Sequence, residues 1–277
     1  MYEIVTKREL AANIYLIEVA AEDVAKKAKP GQFVILRLNE KGERVPLTIA
    51  GLDLENGTVA VAFHAVGRST KKLAKMKEGD SIHDLVGPLG NPTEIAKFGR
   101  ILCVAGGVWC APLRFIVQAL RDKGNEIVIV AAGRTKDTLV FEKELKELSD
   151  EFYVATDDGS KGHKGLDFLK DLLKTQKFDH AMAMGQVVLL QTVTEITRAH
   201  NLKTMVTLAS IMVDGMGMCG ACRVTVAGET KFACMDGPEF DGHQVDFEEL
   251  IRRQRVYLPE ERMASMLYEK LGGMKRG

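Results

Sequence analysis

The chain has 277 residues, 46% of them apolar and 27% charged, which suits a globular protein of about two domains plus an appendage at ~150 residues per domain. Lysine plus arginine equals aspartate plus glutamate at 38 each, so there is no basic footprint for nucleic acid and no polybasic patch for a membrane surface. No apolar run approaches the ~18 residues of a membrane span, and five cysteines behind an N-terminus without a signal segment argue against a disulfide framework, so the expectation is a cytoplasmic protein whose partners are small molecules or other proteins.

From the N-terminus, residues 1–97 carry short β-branched and alternating runs at 3–20, 32–38, 47–54, 58–65 and 81–86, with Asn56-Gly57 as a hairpin signal between two of them. One amphipathic helix at 69–76 interrupts the strands, and the pattern predicts a small antiparallel β-barrel. At Arg100 the rhythm changes. Apolar strands at 101–105, 126–132, 152–155, 180–184 and 203–208 alternate with helices at 112–121, 141–148, 165–173 and 188–200. Such alternation predicts a doubly wound parallel sheet over residues 98–208, with ligands at the carboxyl ends of its strands. Residues 209–246 form a small third unit, and 247–277 a charged tail that reads either as a partner-docking segment or as a solvated terminal helix.

Within the third unit, Asp214, Cys219, Cys222 and Cys234 are spaced D-x4-C-x2-C-x11-C, the plant-type [2Fe-2S] ligand run with a carboxylate in the first place. A cluster needs four anionic ligands and a backbone close enough for N–H groups to reach its sulfides, which Gly215, Gly217 and Gly220 permit. Structural zinc would need a second ligand pair, and Cys234 has no Cys or His at close spacing, so a zinc-bearing scaffold is the disfavoured alternative. Asp214 rests on spacing alone, because aspartate before glycine is by default a turn residue. Cys103 reads as apolar packing, whereas for Cys110, after a glycine pair near a helix start, a reactive role stays open. The six histidines show no metal-ligand spacing, and His163 and His243 read as surface residues.

The order of barrel, nucleotide-type sheet and iron–sulfur unit, together with RVPLTIAG (44–51), VGRSTKKLAKMKEGD (66–80), DLVGPLGNP (84–92), AAGRTKD (131–137), TDDGS (156–160) and the block 211–250, resembles the ferredoxin reductase superfamily. Within it the chain resembles electron-transfer subunits of the dihydroorotate dehydrogenase type and, still more, the small subunit of NADH-dependent reduced ferredoxin:NADP oxidoreductase. The aspartate in the first ligand place separates the latter from the four-cysteine dihydroorotate type. The resemblance implies FAD on the barrel, with Pro46, Leu47 and Thr48 along the flavin ring, His64, Ala65 and Val66 on the next strand, and Gly67, Arg68, Ser69 and Thr70 at the phosphates. A helix start there favours an anion, although on their own Ser69 and Thr70 read equally as an N-cap. The superfamily's phosphate arginine aligns with Val45, with Arg44 one residue earlier.

By the same resemblance, Gly106 and Gly107 would cradle the pyrophosphate of NAD(H), Gly185 would lie beside the nicotinamide, and Asp157, Asp158 and Gly159 would meet the adenosine, or else form a plain solvated turn. Two departures mark this pocket: Trp109 stands where relatives have glycine, and Gln186 where they have proline. They imply altered specificity, including NADP(H), a different pose or lost binding, unless Trp109 is a packing residue that turns away from the cleft. The expected activity is electron transfer between a pyridine nucleotide, FAD and a [2Fe-2S] cluster within a bifurcating oxidoreductase. Its expected partner is a larger FAD and [4Fe-4S] subunit related to the glutamate synthase small subunit, which deals with ferredoxin. The alternatives are a dihydroorotate dehydrogenase electron-transfer subunit and a non-catalytic wiring subunit with a decayed nucleotide site.

Overall fold

The computed structural model describes residues 1–270. Seven antiparallel strands come first: β1 (Tyr2–Ala11), β2 (Ile14–Ala20), β3 (Phe33–Arg37), β4 (Arg44–Asp53), β5 (Thr58–His64), β6 (Ser81–Ile82) and β7 (Asp84–Leu89), with short helices α1 (Glu22–Ala25) and α2 (Arg68–Leu73) between them. Their order is β6-β1-β2-β5-β4-β3-β7. The two edge strands, β6 and β7, are separated only by His83, so the sheet curls into a nearly closed barrel that hides its edges. Ile4, Ile17, Val34, Leu36, Ile49, Val61 and Phe63 fill its interior.

Two local departures from expectation have simple causes. The segment expected as one strand at 3–20 is a hairpin, turned by Asn13 at φ 62°. Asparagine tolerates the left-handed region, and no glycine announces the turn. The expected tight Asn56-Gly57 turn is a longer loop in which the Asp53 carboxylate accepts the N–H groups of Glu55 and Asn56 at 3.0 and 2.9 Å. Pro46 sits inside β4 opposite Ile35, but the β4–β5 ladder begins only at Ile49, so β4 has a free edge where a residue without an N–H is tolerated.

The second part alternates β8 (Arg100–Gly106), α3 (Cys110–Asp122), β9 (Glu126–Gly133), α4 (Glu142–Leu148), β10 (Glu151–Thr156), β11 (His163–Lys164), α5 (Phe168–Thr175), β12 (His180–Met184), α6 (Val187–Arg198) and β13 (Thr204–Thr207). The strands are parallel in the order β11-β10-β9-β8-β12-β13. The chain runs outward from β8 to β11 and then returns to β12, which makes the gap between β8 and β12 the point where the winding reverses and a crevice opens at the carboxyl ends. Both faces are covered, so β8 is apolar and buried from Ile101 to Ala105. Ile101, Cys103 and Ala105 meet α3 and the barrel, while Leu102 and Val104 face the opposite layer. On α3, Cys110, Leu113, Ile116, Val117 and Leu120 repeat at helical spacing and are buried.

The C-terminal part adds a hairpin, β14 (Arg223–Val226) and β15 (Glu229–Phe232), and then β16 (Glu239–Asp241), which pairs antiparallel with β13. Cys222, Val224, Ala233, Cys234 and Phe240 therefore belong to the same apolar cluster as Leu102 and Val104. Helices α7 (Phe247–Gln254) and α8 (Leu258–Lys270) follow. The inner side of α8 rests on α2, where Lys71 donates to Ser265 at 2.7 Å and pairs with Glu269 at 2.5 Å, while Lys75 lies 4.8 Å over the Tyr268 ring. Residues 271–277 of the expected tail lie outside the described residues. No helix among the described residues is long and apolar enough to cross a membrane.

Candidate functional site: a flavin face, a nucleotide cleft and an iron–sulfur loop

The expected flavin residues fall on one side of the barrel. Pro46, Leu47 and Thr48 are half-buried on β4, and His64, Ala65 and Val66 close β5 beside them, with Ala65 buried and Val66 exposed. At the start of α2, Gly67 donates its N–H to Thr70 Oγ1 at 3.1 Å and Thr70 returns its hydroxyl to the Gly67 carbonyl at 3.2 Å. Thr70 is thus a capping residue. Ser69 donates to the Glu43 carboxylate, which leaves exposed Arg68 and the free N–H groups of the turn as the groups open to an anion. A Cβ on Gly67 would meet only Thr70 Oγ1 at 3.9 Å, so a ligand can approach that backbone closely. Arg44 stands exposed at the head of β4 opposite Arg37.

Between barrel and parallel sheet lies a cavity of about 350 Å³. Ile14 and His64 line it from the barrel, Gly106, Gly107 and Trp109 from the end of β8, and Arg134, Asp157 and Gln186 from the ends of β9, β10 and β12. Each glycine there has its own reason. A Cβ on Gly106 would stand 2.8 Å from Leu189 Cδ1 and one on Gly185 3.3 Å from it, so both let α6 sit down on the strand ends. Gly107 has φ +56° and open space around it, and faces the cleft for conformational reasons. Trp109 is half-buried: its indole packs with the apolar layer shared by α3 and the barrel and also forms part of the cavity wall.

At the far end of the cleft, Asp157, Asp158 and Gly159 divide their work. Asp158 accepts the Ser160 N–H at 2.9 Å, and hydrogen bonds from Ser160 hold its carboxyl below the usual carboxylate range. Gly159 supplies the left-handed residue of that turn at φ +76°. Only Asp157 lines the cavity. His64, partly covered and beside Arg134, has its imidazole pushed below its ordinary range, first by desolvation and then by that guanidinium, so it enters the cleft neutral at pH 7. Cys110 lies fully buried behind it, with its sulfur 3.6 Å from the Ala105 carbonyl, and burial pushes its thiol up to about 12. That closes the reactive role left open for Cys110: a thiol kept protonated and out of solvent is packing.

The loop of residues 208–222 is irregular and pressed onto the barrel; a Cβ on Gly215 (φ +74°) would come within 2.6 Å of Ile35 Cδ1 and 2.8 Å of Leu89 Cδ1. Asp214 turns its carboxylate into the loop and accepts the N–H groups of Met216 at 2.9 Å and Cys219 at 2.6 Å, which hold it below the usual range. Cys222 and Cys234 are each 1% exposed with sulfurs 3.3 Å apart, and burial together with this neighbour pushes the Cys234 thiol up to about 12. Their pairing receives the Cys234 N–H on the Cys222 sulfur at 3.5 Å. Cys219 is exposed, and accepts the Ala221 N–H at 3.5 Å. Two of the four expected ligands therefore meet, a third stands at the surface, and the carboxylate is held within the loop. Among the described residues no three such side chains converge into a single ion site. Three thiols and a carboxylate, set among N–H groups aimed at sulfur and at the carboxylate, fit a [2Fe-2S] cluster by donor chemistry.

Helix α7 braces this loop at both ends, through Arg253 to the Ala221 carbonyl at 3.0 Å and Gln254 to the Ala209 carbonyl at 2.8 Å. Neither residue was expected from the sequence, where the tail showed only alternating charge. The readable signal was Asp246, which caps α7 by accepting the Glu249 N–H at 2.8 Å. Arg134 carries no sequence signal of its own, and its place in the cavity wall beside His64 comes from the fold. His163 is exposed as expected and stacks on Phe168, whereas His243 is half-buried between Thr197 and Arg198.

Barrel, doubly wound sheet and cysteine loop define the class: a ferredoxin-reductase-like flavin and iron–sulfur oxidoreductase. Phthalate dioxygenase reductase shares the fold at 17% identity and a TM-score of 0.60 over 81% of this chain and 85% of that one. Residues 209–246 match the iron–sulfur cluster binding domain of dihydroorotate dehydrogenase B. A chain of the NADH-dependent reduced ferredoxin–NADP oxidoreductase structure, solved to explain flavin-based electron bifurcation, superposes with a TM-score of 0.91 at 45% identity over 98% of both chains. The dihydroorotate dehydrogenase B (NAD(+)) electron transfer subunit homolog of Thermotoga maritima is 46% identical over 98% of this chain and 96% of its own length. The chain belongs to this family of electron-transfer subunits, and its cofactors are FAD, an iron–sulfur cluster and NAD(H).

Proposed function

We propose that this chain is the small subunit of an electron-bifurcating ferredoxin–NADP oxidoreductase, taking electrons from NADH and relaying them to a larger FAD and [4Fe-4S] subunit that deals with ferredoxin. FAD, when bound, accepts a hydride and releases electrons singly, and the cluster carries one at a time. The protein's own work is positioning. Pro46, Leu47 and Thr48 offer the half-buried strand surface for the flavin, and Gly67 with Arg68 the anion-binding turn. Gly107, open to the cleft, lets a dinucleotide approach the β8–β12 crevice, and Asp157 is placed to accept hydrogen bonds from ribose hydroxyls. Neutral His64 adds no second cation beside Arg134. Asp214, Cys219, Cys222 and Cys234 would hold the cluster.

The observation that carries this reading is Asp214 in the first ligand place of a loop whose last two cysteines already face each other. Around the exposed Cys219, Met218 (86% exposed), Met216, Met235 and Val213 leave an apolar rim, which suits a protein partner that docks over the cluster. A second reading, the dihydroorotate dehydrogenase B electron-transfer subunit, is favoured by the family match of residues 209–246 and differs in its partner. Stopped-flow mixing of the purified complex with NADH is expected to bleach the flavin and then the cluster in sequence, with NADPH much slower. Failure of both nucleotides to bleach the flavin would leave only a wiring role, the outcome that Trp109 and Gln186 would then explain.

A further inference from the structure

We propose that residues 90–93 act as a positioning strap that fixes the turn after Cys234 to the flavin-binding barrel, with Asn91 and Thr93 as positioning residues for transfer between flavin and cluster; only this last consequence rests on the function proposed above. The strap touches both partners. On the cluster side, the Asn91 backbone N–H donates to the Gly237 carbonyl at 2.7 Å, its side-chain Nδ2 to the Met235 carbonyl at 3.0 Å, and Thr93 Oγ1 to Glu239 at 2.5 Å. On the barrel side, the Thr93 N–H donates to the Pro30 carbonyl at 2.9 Å, and Gln32 Nε2 to the Gly90 carbonyl at 2.8 Å.

Close packing makes the junction rigid. Gly90, at φ +74°, could not carry a Cβ, which would stand 2.8 Å from Phe33 Cε1 of the barrel and 2.9 Å from Pro238 Cδ of the cluster turn. Three layers meet at that glycine. Met235 follows Cys234 directly, and the Pro238 carbonyl accepts the Leu208 N–H at 2.9 Å, so the turn is tied to the parallel sheet as well. Burial raises the Glu239 carboxyl above its usual range and the Thr93 hydroxyl opposes that shift, so removing the hydroxyl leaves a buried carboxyl without that hydrogen-bond partner. An electron passing from the barrel's flavin to a cluster held by Cys234 depends on the separation that these bonds set.

The test uses the loaded protein with Asn91→Asp, which keeps the shape but removes the donor, and Thr93→Val, separately and combined. Amide exchange at residues 235–237 and 239 is expected to speed up about thirtyfold in the double variant, the worth of two such hydrogen bonds at ~1 kcal/mol each, with the barrel strands unchanged. The reduced cluster's paramagnetic signal is expected to broaden or shift, and flavin-to-cluster transfer to slow, with hydride reduction of the flavin unaltered. Parent-like exchange and an unaltered signal would overturn the strap. If the double variant does not fold, exchange in Asn91→Asp alone decides, since that side chain is exposed. A parent protein without any cluster signal would sink the proposed function, while the exchange measurement still judges the strap.

Discussion

Cys234→Ser is expected to yield a protein that keeps its yellow flavin but loses its iron and the paramagnetic signal of the reduced cluster. Cys234 is 1% exposed and its sulfur lies 3.3 Å from that of Cys222, so serine would place a harder, poorly ionised oxygen where a thiolate is needed. Loss of a supporting partner around a metal typically costs about 10–100-fold in affinity, and loss of a ligand costs more. The flavin face on β4, β5 and α2 lies in other elements, and NADH bleaching of the flavin is therefore expected at the parent rate. Asp214→Cys supplies the usual fourth thiolate and is expected to keep the iron with an altered signal, whereas Asp214→Asn is expected to lose it. Iron analysis and spectra of the three variants check this; iron retained at parent level in Cys234→Ser would remove that residue from the ligand set.

The second large effect is expected at Asp157. Asp157→Asn is expected to reduce the preference for NADH over NADPH, measured as the ratio of kcat/KM values, by roughly tenfold or more. One charge-assisted hydrogen bond is worth about 1.5–3 kcal/mol, and the carboxylate also repels the extra phosphate of NADP. Asp158→Asn is the internal control. Its carboxylate is already committed to Ser160, so its loss loosens the turn and leaves the ratio near the parent value. A ratio that falls with Asp158 and not with Asp157 would exchange the two roles.

The regular elements were legible wherever a single pattern dominated. Ile101 to Ala105 is apolar at every position because both faces of a parallel strand are covered, and the i, i+3, i+4 repeat of α3 shows the side it buries. The iron–sulfur unit at 209–246 was legible because its cysteines follow the plant-type spacing along one loop. What could not be read depended on distant residues. Asn13 makes a turn without glycine, and three-residue β16 has too little sequence to signal a strand, although it ties the cysteine loop to β13. Cys110 is silenced by burial, not by its neighbours in sequence. In the cleft, the sequence suggested one purpose for Gly106 and Gly107, and the structure gives two: room for Leu189 and a left-handed turn. Trp109 is both packing residue and cavity wall, so neither of the two readings offered by its position was complete.

Iron and acid-labile sulfide assays on anaerobically purified protein, paired with electron paramagnetic resonance after NADH addition, address the ligand loop at its root. About two irons and two sulfides per chain are expected, with a signal that grows in as the flavin is reduced. Yellow protein without iron or sulfide, or with zinc in place of iron, and silent after dithionite, would contradict it.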